Sequence, residues 1–564
     1  MKNTRRNRHS TMLALVALLA LLVVLGLFGV VLARYYVPAY FYGIDESGYL
    51  VPARLLAVHG SPAKYATDPY EFAGENMVEP RENVYYPKYP IGYPLLGAAA
   101  YKIGGPAAPF LVNPILALLG IVGIFMLGRS LLGRYGGLLA AAILASNPLY
   151  VYYALRPMSH AGAVCFATWG LYLFWTWWTG GRPWRAALAG ALTAYTLSVR
   201  SAEGILLLVP LALITWRVSD VWRAQNDTPP WARWRAALRP AWPLLAGVAV
   251  GLLPQLVYQW QAFGAPWITG YTLCGEDSGF SLAMFKGHLP LMLRALSLPA
   301  YGLGLVFPLG LVGLALLLVR NRPKALLLGL WSVPILIVYT AYYFYLNDTP
   351  LGRVLWVRFF LTAYPPLIVS ALALLLHATP WRRTGLFLAT LLALASLTWN
   401  VRSEGMRKEL ISLRNGQSFS LGIGTMVHAT LPPGSAIIGA GWTPYFIDYM
   451  GDYHVYYPND WDLATIGKRV KEADSPGGVH GFQIQRAQKT KRLYGGKSAT
   501  QIDEIVRDIV REHLAKGRIV AVVCSRGEQS GWQRRLGPAF ALRQRGQPTG
   551  DWAVYEVVSR AIPP

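Results

Sequence analysis

The 564 residues are 54% hydrophobic and only 14% charged, with 20 Trp and a mean hydropathy of +0.34. These values exclude an ordinary soluble enzyme and suit a chain whose main solvent is lipid. The formal net charge of +24 does not point to nucleic acid, because Lys and Arg outside the C-terminal region sit largely in short tracts between apolar runs, as in membrane proteins oriented by charge.

The chain opens with a basic stretch, Met1 to Arg8, followed by an apolar run from Met12 to Ala33. A cleaved signal peptide has an apolar core of about 7–15 residues, whereas a spanning helix needs about 20. The run predicts an uncleaved first helix with residues 1–11 in the cytosol. Further apolar runs cover residues 109–128, 137–153, 161–179, 186–215, 241–259, 301–319, 325–345, 359–376 and 384–400. Five basic loops separate them, at Arg129–Arg134, Arg182–Arg185, Arg217–Arg239, Arg320–Lys324 and Arg382–Arg383. The positive-inside rule puts all five on the cytosolic side. Alternation then fails only at 186–215, which joins two loops of the same side. That run is long for one span and is interrupted by Ser198-Val-Arg-Ser-Ala-Glu203. Read as two short helices with Arg200 and Glu203 at the outer turn, it restores alternation. The result is a polytopic α-helical module of roughly eleven transmembrane helices with its C-terminus outside. It occupies residues 12–400, with outer segments at 34–109 and 258–299.

Residues 401–564 form the outer C-terminal region. Ala436–Ala440, Tyr453–Tyr457 and Arg518–Cys524 read as strands, and Trp552–Val558 as a closing strand. Ile502, Ile505, Val506, Ile509, Val510 and Leu514 recur at helical spacing, with Gly517 placed to end the helix. The alternation predicts a small α/β domain. Asp474–Lys497, rich in Gly, Lys and Gln, reads as a mobile loop. Cys165, Cys274 and Cys524 lack metal-ligand spacing. Cys274 and Cys524 share the outer side, yet nothing in the sequence brings them within bonding distance, so free thiols are expected.

Candidate chemistry lies on the outer side. Asp45 and Glu46 follow the first helix by about a dozen residues, ahead of an amphipathic stretch suited to the membrane interface. They suit a general base or a cation ligand, or are simply a solvated acidic pair at a helix N-terminus. Val84 to Pro94 sets Lys88 among three prolines and four tyrosines, Tyr86 among them. Lys88 can hold a phosphate as a point charge, or snorkel from an aromatic belt. Arg200 and Glu203 are ionisable at membrane depth, which favours a protein cavity, or they form a structural pair at a hairpin. Arg156 and His160 flank an outer turn and are candidates to line a cavity, with a surface turn the alternative for His160. Arg358, in Trp356-Val-Arg-Phe-Phe, is a second phosphate clamp or an interfacial anchor. No Walker motif, HExxH or nucleophile elbow in a suitable context supports nucleotide or peptide hydrolysis.

The first helix, an outer loop opening on Asp45-Glu46, the Lys88 stretch some forty residues on, and a set of helices ending in an outer domain together resemble the GT-C glycosyltransferases. Within them the chain is most similar to the protein O-mannosyltransferase and aminoarabinose-transferase branch. Further matching pieces are Ser198 to Gly204, Phe263-Gly-Ala-Pro with Gly270-Tyr271, and Arg358-Phe359 leading to Pro365. The resemblance covers residues 12–400. It implies sugar transfer from a polyprenyl-phosphate donor to a lipid, glycan or protein acceptor outside a bacterial or archaeal plasma membrane. It makes Asp45 the catalytic acid-base residue beside Glu46, and Lys88 the donor-phosphate contact, with Arg200 and Arg358 as further phosphate partners. Gly48 stands where the aminoarabinose transferases carry an arginine, which leaves Arg54 as the nearest substitute. Tyr86, Arg156, His160 and Glu203 are expected to line the cavity. No cofactor is required; a divalent metal is compatible with the acidic pair. A transporter or lipid flippase is the alternative from another class, for which midplane charges and internal repeats are the expected signs. No clear repeat is present.

Overall fold

The computed structural model of the chain describes residues 2–41, 44–224, 229, 231–232, 241–276, 279–299, 301–344, 349–378, 382–474 and 482–560. Helix α1 (Lys2–Tyr35) opens it, with Leu15, Leu19, Leu22, Val23 and Leu27 exposed along its length. Water penalises such a surface and hydrocarbon does not. Among the described residues, seven helices are long and apolar enough to cross a membrane. An eighth is added if the bent pair Arg134–Ser146 and Pro148–Ala154 forms one span. The chain is an integral membrane protein.

By length and composition, the expected count of roughly eleven spans is not confirmed among the described residues. Three of the expected runs do form helices: Ser159–Trp178, Pro183–Val199 and Val306–Arg320. The first is diluted by four Trp and a Tyr. The other two have 17 and 15 residues, short of the roughly 20 that span hydrocarbon alone.

In chain order after α1 come α2 (Ile44–His59) and the strands β1 (Lys64–Tyr65), β2 (Met77–Arg81) and β3 (Val84–Pro87). The strands form a small antiparallel sheet ordered β1-β3-β2. Next come α3 (Gly92–Gly104), α4 (Val112–Leu132), α5 (Arg134–Ser146), α6 (Pro148–Ala154), α7 (Ser159–Trp178), α8 (Pro183–Val199), α9 (Leu208–Ala224) and α10 (Trp242–Phe263). The short α11 (Gly270–Leu273) is followed by α12 (Leu282–Leu296), α13 (Val306–Arg320), α14 (Arg322–Thr340), α15 (Pro350–Val357), α16 (Tyr364–Ala378) and α17 (Arg382–Arg402). The predicted break after residue 198 is real: α8 ends at Val199 and a 3-10 turn, Ser201–Leu207, leads into α9.

Helix α2 is not the interfacial helix expected of its pattern. Residues Glu46 to Leu55 are all buried, because α3 covers one side and a helix of the C-terminal region another. Helical periodicity identifies an apolar face but not whether lipid or protein covers it.

The C-terminal region begins with α18 (Glu404–Thr430). Then follow β4 (Ala436–Gly439), α19 (Thr443–Met450), β5 (His454–Tyr456), α20 (Leu463–Asp474), α21 (Phe482–Tyr494), α22 (Ala499–Ala515), β6 (Val520–Ser525), α23 (Gln529–Leu536), β7 (Phe540–Thr549) and β8 (Trp552–Ser559). The five strands are ordered β5-β4-β6-β8-β7. β4 runs parallel to β5 and β6, while β8 is antiparallel to β6 and β7. Of the segment read as a loop, residues 475–481 lie outside the described residues, and Phe482–Tyr494 is helical. All three cysteines are free thiols.

One face of this sheet packs Ile437, Val455, Ala521 and Val554 against Tyr40, Leu50 and Phe72 of the segment after α1. The Phe72 amide donates to Val455 O at 2.7 Å. Lys64 pairs with Asp448, both buried. The sheet is thereby joined to the loops that carry Asp45 and Lys88.

Within the bundle, α8 and α10 approach through small residues. A Cβ on Gly247 would lie 1.9 Å from the Ala187 carbonyl oxygen, whereas one on Gly329 would meet nothing within 4 Å. Gly247→Val should therefore cost about 1–3 kcal/mol or more through overpacking. A lower thermal midpoint in detergent is expected, with Gly329→Ala close to wild type.

Candidate active site

Each charged candidate sits where regular structure breaks. Asp45 and Glu46 occupy the first turn of α2, where the helix dipole favours carboxylates. Lys88 follows β3, its amide donating to Asn76 O at 2.9 Å. Arg200 holds an extended backbone between α8 and the 3-10 turn. Arg358 opens the 3-10 turn Arg358–Ala363 after α15.

These breaks meet around one cavity of about 350 Å³. Its walls carry Asp45, Lys88, His160, Arg200, Glu276 and Arg358, with Tyr271, Tyr339, Tyr342 and Phe359 among the aromatic groups. Every cation at the cavity or just behind it faces a carboxylate. Arg358 Nη1 lies 2.8 Å from Asp45 Oδ2. Lys88 Nζ lies 2.8 Å from Glu276 Oε2. Arg200 Nε lies 2.9 Å from Glu203 Oε1, and Arg156 pairs with Glu46.

Asp45 also accepts a hydrogen bond from Tyr89 OH at 2.8 Å. The Tyr89 ring stacks on Tyr49, centroids 4.4 Å apart. Burial pushes the Asp45 carboxyl up, but the Arg358 guanidinium, the Tyr89 hydrogen bond and further cations outweigh it and hold the group at about 2. Glu46 behaves oppositely. Its burial outweighs Arg156, and its pKa is raised. The two neighbouring acids are thus separated in strength by environment.

Arg200 is locked more completely. Its Nε donates to Tyr339 OH at 2.6 Å, and Tyr339 donates onward to Glu203 Oε2 at 2.9 Å. Thr362 donates to Glu203 Oε1 at 3.0 Å. Both readings of the Arg200–Glu203 pair therefore hold at once: it ties a hairpin, and Arg200 still faces the cavity. Arg358 Nε and both ring nitrogens of His160 are buried and have no hydrogen-bond partner among the described residues.

Of the residues expected at the site, Asp45, Lys88, His160, Arg200 and Arg358 line the cavity. Glu46, expected to be catalytic, and Arg156 and Glu203, expected to line the cavity, are not among its lining residues and stand behind it as buried partners. Two further expectations fail. Arg54 lies nine residues after Asp45, about 2.5 helical turns, so it leaves the opposite face of α2. It pairs with Asp452 of the C-terminal region at 2.6 Å. Tyr86 packs instead on Tyr258 and Phe263. Gly48 leaves no room for a side chain beside Asp45. A Cβ there would lie 2.8 Å from Asn76 Cβ and 2.9 Å from the Tyr89 ring, so the cation beside Asp45 comes from Arg358.

Glu276, Tyr49, Tyr89 and Tyr339 were not singled out by the sequence. Glu276 carried a usable signal, an acid within the outer segment 258–299. Its approach to Lys88 depends on Gly270, where a Cβ would lie 2.3 Å from Lys88 Cα. Among the described residues, no group of three or more His, Cys, Asp or Glu is arranged to hold a metal.

No protein-family model and no curated protein matches this chain. Among solved structures its fold is similar to ArnT from Cupriavidus metallidurans. The apo form has a TM-score of 0.52 and 13% identity, covering 97% of this chain and 98% of that chain. The form bound to undecaprenyl phosphate has a TM-score of 0.52 and 13% identity, covering 95% and 97%. An oligosaccharyltransferase from Archaeoglobus fulgidus, in complex with Zn and sulfate, covers 90% of this chain and 68% of that chain at 12% identity. Its TM-score of 0.46 carries no weight here. At 13% identity the likeness to ArnT is one of fold alone.

Arg156→Met should strand Glu46 as a buried, unpaired carboxylate, at a cost of about 3–5 kcal/mol. Thermal unfolding in detergent should register the loss. The double variant Arg156→Met/Glu46→Gln should recover most of it.

Proposed function

We propose that this protein is a glycosyltransferase that moves a sugar from a polyprenyl-phosphate donor to an acceptor hydroxyl on the extracytoplasmic side of a bacterial or archaeal plasma membrane. The observation that carries the reading is the convergence of Asp45 with Lys88, Arg200 and Arg358 on one aromatic-walled cavity. The fold shared with an enzyme crystallised with undecaprenyl phosphate supports the lipid carrier. The reading divides the chain into residues 1–11 in the cytosol, a catalytic membrane module at 12–400, and an outer domain at 401–564.

In this account Lys88 holds the donor phosphate as a point charge, and Arg358 and Arg200 add planar donors. The aromatic walls take the apolar faces of sugar and isoprenoid. The acceptor oxygen attacks the anomeric carbon as the bond from that carbon to the phosphate oxygen breaks. The acceptor's proton passes to Asp45, and the bond's electron pair leaves with the phosphate. Carrier and Asp45 together hold two negative charges before the step. Afterwards the phosphomonoester holds both and Asp45 is neutral, so the step balances.

The Arg358 pairing bears on timing. With Arg358 against it, Asp45 is a weak base. A phosphate that draws the guanidinium away returns the carboxyl toward its ordinary range and strengthens it as a base. The acceptor is thus activated when the donor is in place. A transporter or flippase gains no support, because these charges surround one cavity rather than marking a path through the bundle.

The direct test uses purified protein, a labelled polyprenyl-phosphate sugar and candidate acceptors. Wild type should transfer label. Asp45→Asn should lose about 10²–10⁴-fold in rate while still binding polyprenyl phosphate. Full activity in Asp45→Asn contradicts the assignment, and absence of transfer by wild type across lipid, glycan and protein acceptors contradicts the function. Arg358→Gln should also move the acid limb of the kcat/KM profile to higher pH, since that limb reports the free enzyme's base. An unmoved limb removes Arg358 from this role.

A further inference from the structure

Among the described residues, the four cations Lys88, Arg156, Arg200 and Arg358 are matched by Glu276, Glu46, Glu203 and Asp45. An anionic donor therefore finds a carboxylate beside each of these cations. Only two of the four carboxylates, Asp45 and Glu276, line the cavity. Asp45 is committed to the acceptor in the reading above, which leaves Glu276 without a role in the transfer itself.

Glu276 is well anchored where it stands. Tyr342 OH donates to Oε1, Tyr343 OH lies 3.5 Å from the same oxygen, and Cys274 Sγ lies 3.8 Å from Oε2. Tyr271 is a further titratable group near it among the described residues. Gly270 lets this segment press against the Lys88 backbone. Gln485 of α21 donates to Leu273 O at 3.0 Å, so the C-terminal region braces the same segment. Such a carboxylate remains close to a phosphate that takes Lys88. Two charges a few ångströms apart in a partly buried site change affinity by about tenfold or more.

The two states of the carrier differ in charge. The sugar-bearing donor is a phosphodiester with one negative charge. The carrier left after transfer is a phosphomonoester, which carries about 1.5–2 negative charges near neutral pH. We propose that Glu276 is a specificity-determining residue that discriminates by charge, tolerating the phosphodiester donor and disfavouring the spent phosphomonoester beside Lys88. The inference rests on the transferase reading and deepens it. Repulsion at this point speeds release of the spent carrier and limits inhibition by it, a discrimination built from an unfavourable contact.

The test measures binding of undecaprenyl phosphate and of its singly charged methyl ester to the full-length protein at one alkaline pH. Wild type, Glu276→Gln, Glu276→Ser and the charge-retaining Glu276→Asp are compared. The neutral variants should raise the ratio of monoester to methyl-ester affinity by about tenfold, and Glu276→Asp should keep the wild-type ratio. In turnover assays, added undecaprenyl phosphate should inhibit Glu276→Gln more strongly than wild type. An unchanged or lowered ratio in both neutral variants overturns the proposal. So does a ratio in Glu276→Asp that follows the neutral variants, since shape and not charge would then be responsible. If wild type binds neither probe, the transferase reading itself fails and this inference falls with it. Binding by wild type with no shift in ratio sinks the Glu276 proposal alone.

Discussion

A charge taken out of water needs a partner, and around this cavity that requirement organises the structure. Four cations and four carboxylates among the described residues form four pairs: two lie wholly at the wall, Arg200–Glu203 has its carboxylate behind it, and Arg156–Glu46 lies wholly behind it. Three of the pairs join segments far apart in the chain: Asp45 with Arg358, Glu46 with Arg156, and Lys88 with Glu276. They draw the start of α2, the loop after β3 and the segment around α11 onto the helix bundle. Lys64–Asp448 and Arg54–Asp452 extend the same logic to the C-terminal sheet. The sheet thus grips the element that carries the acidic pair, and its α21 touches the segment that carries Glu276.

Much of this was legible in the sequence, and the failures have physical causes. Apolar runs and basic loops located the helices, and the break in the run at 186–215 was legible because two charges in a long apolar stretch need an end to sit at. Asp45, Lys88, Arg200 and Arg358 were each picked out as candidates, and the structure brings the four to one cavity wall. Their convergence was expected only from their sharing one side. The partners were harder to see. Glu276 lies 188 positions from Lys88, and no local pattern encodes such a meeting. Arg54 misled because closeness in sequence is not closeness on a helix: nine residues of α2 turn it away from Asp45. The burial of α2 and the helix α21 were missed for a related reason. Periodicity does not name its partner, and a polar segment such as Phe482–Tyr494 becomes helical through contacts that lie elsewhere in the chain.

The likeness to ArnT spans nearly the whole of both chains at very low identity. A fold of this kind transmits an arrangement of helices and a cavity, while the chemistry resides in the side chains that line it. Here the lining has its own solution. Gly48 leaves room for Tyr89 and Asn76 next to Asp45, and the balancing cation is supplied from far along the chain by Arg358. The charge pairs also set the terms for the proposed donor: a phosphate enters by exchanging partners with residues already paired.

That exchange can be seen directly in a structure of the protein with undecaprenyl phosphate bound. The account predicts phosphate oxygens within hydrogen-bond reach of Lys88 Nζ and the Arg358 guanidinium, with Arg358 drawn off Asp45 and Asp45 facing open space beside the phosphate. A phosphate bound elsewhere, with the Lys88–Glu276 and Arg358–Asp45 pairs still closed, would contradict it.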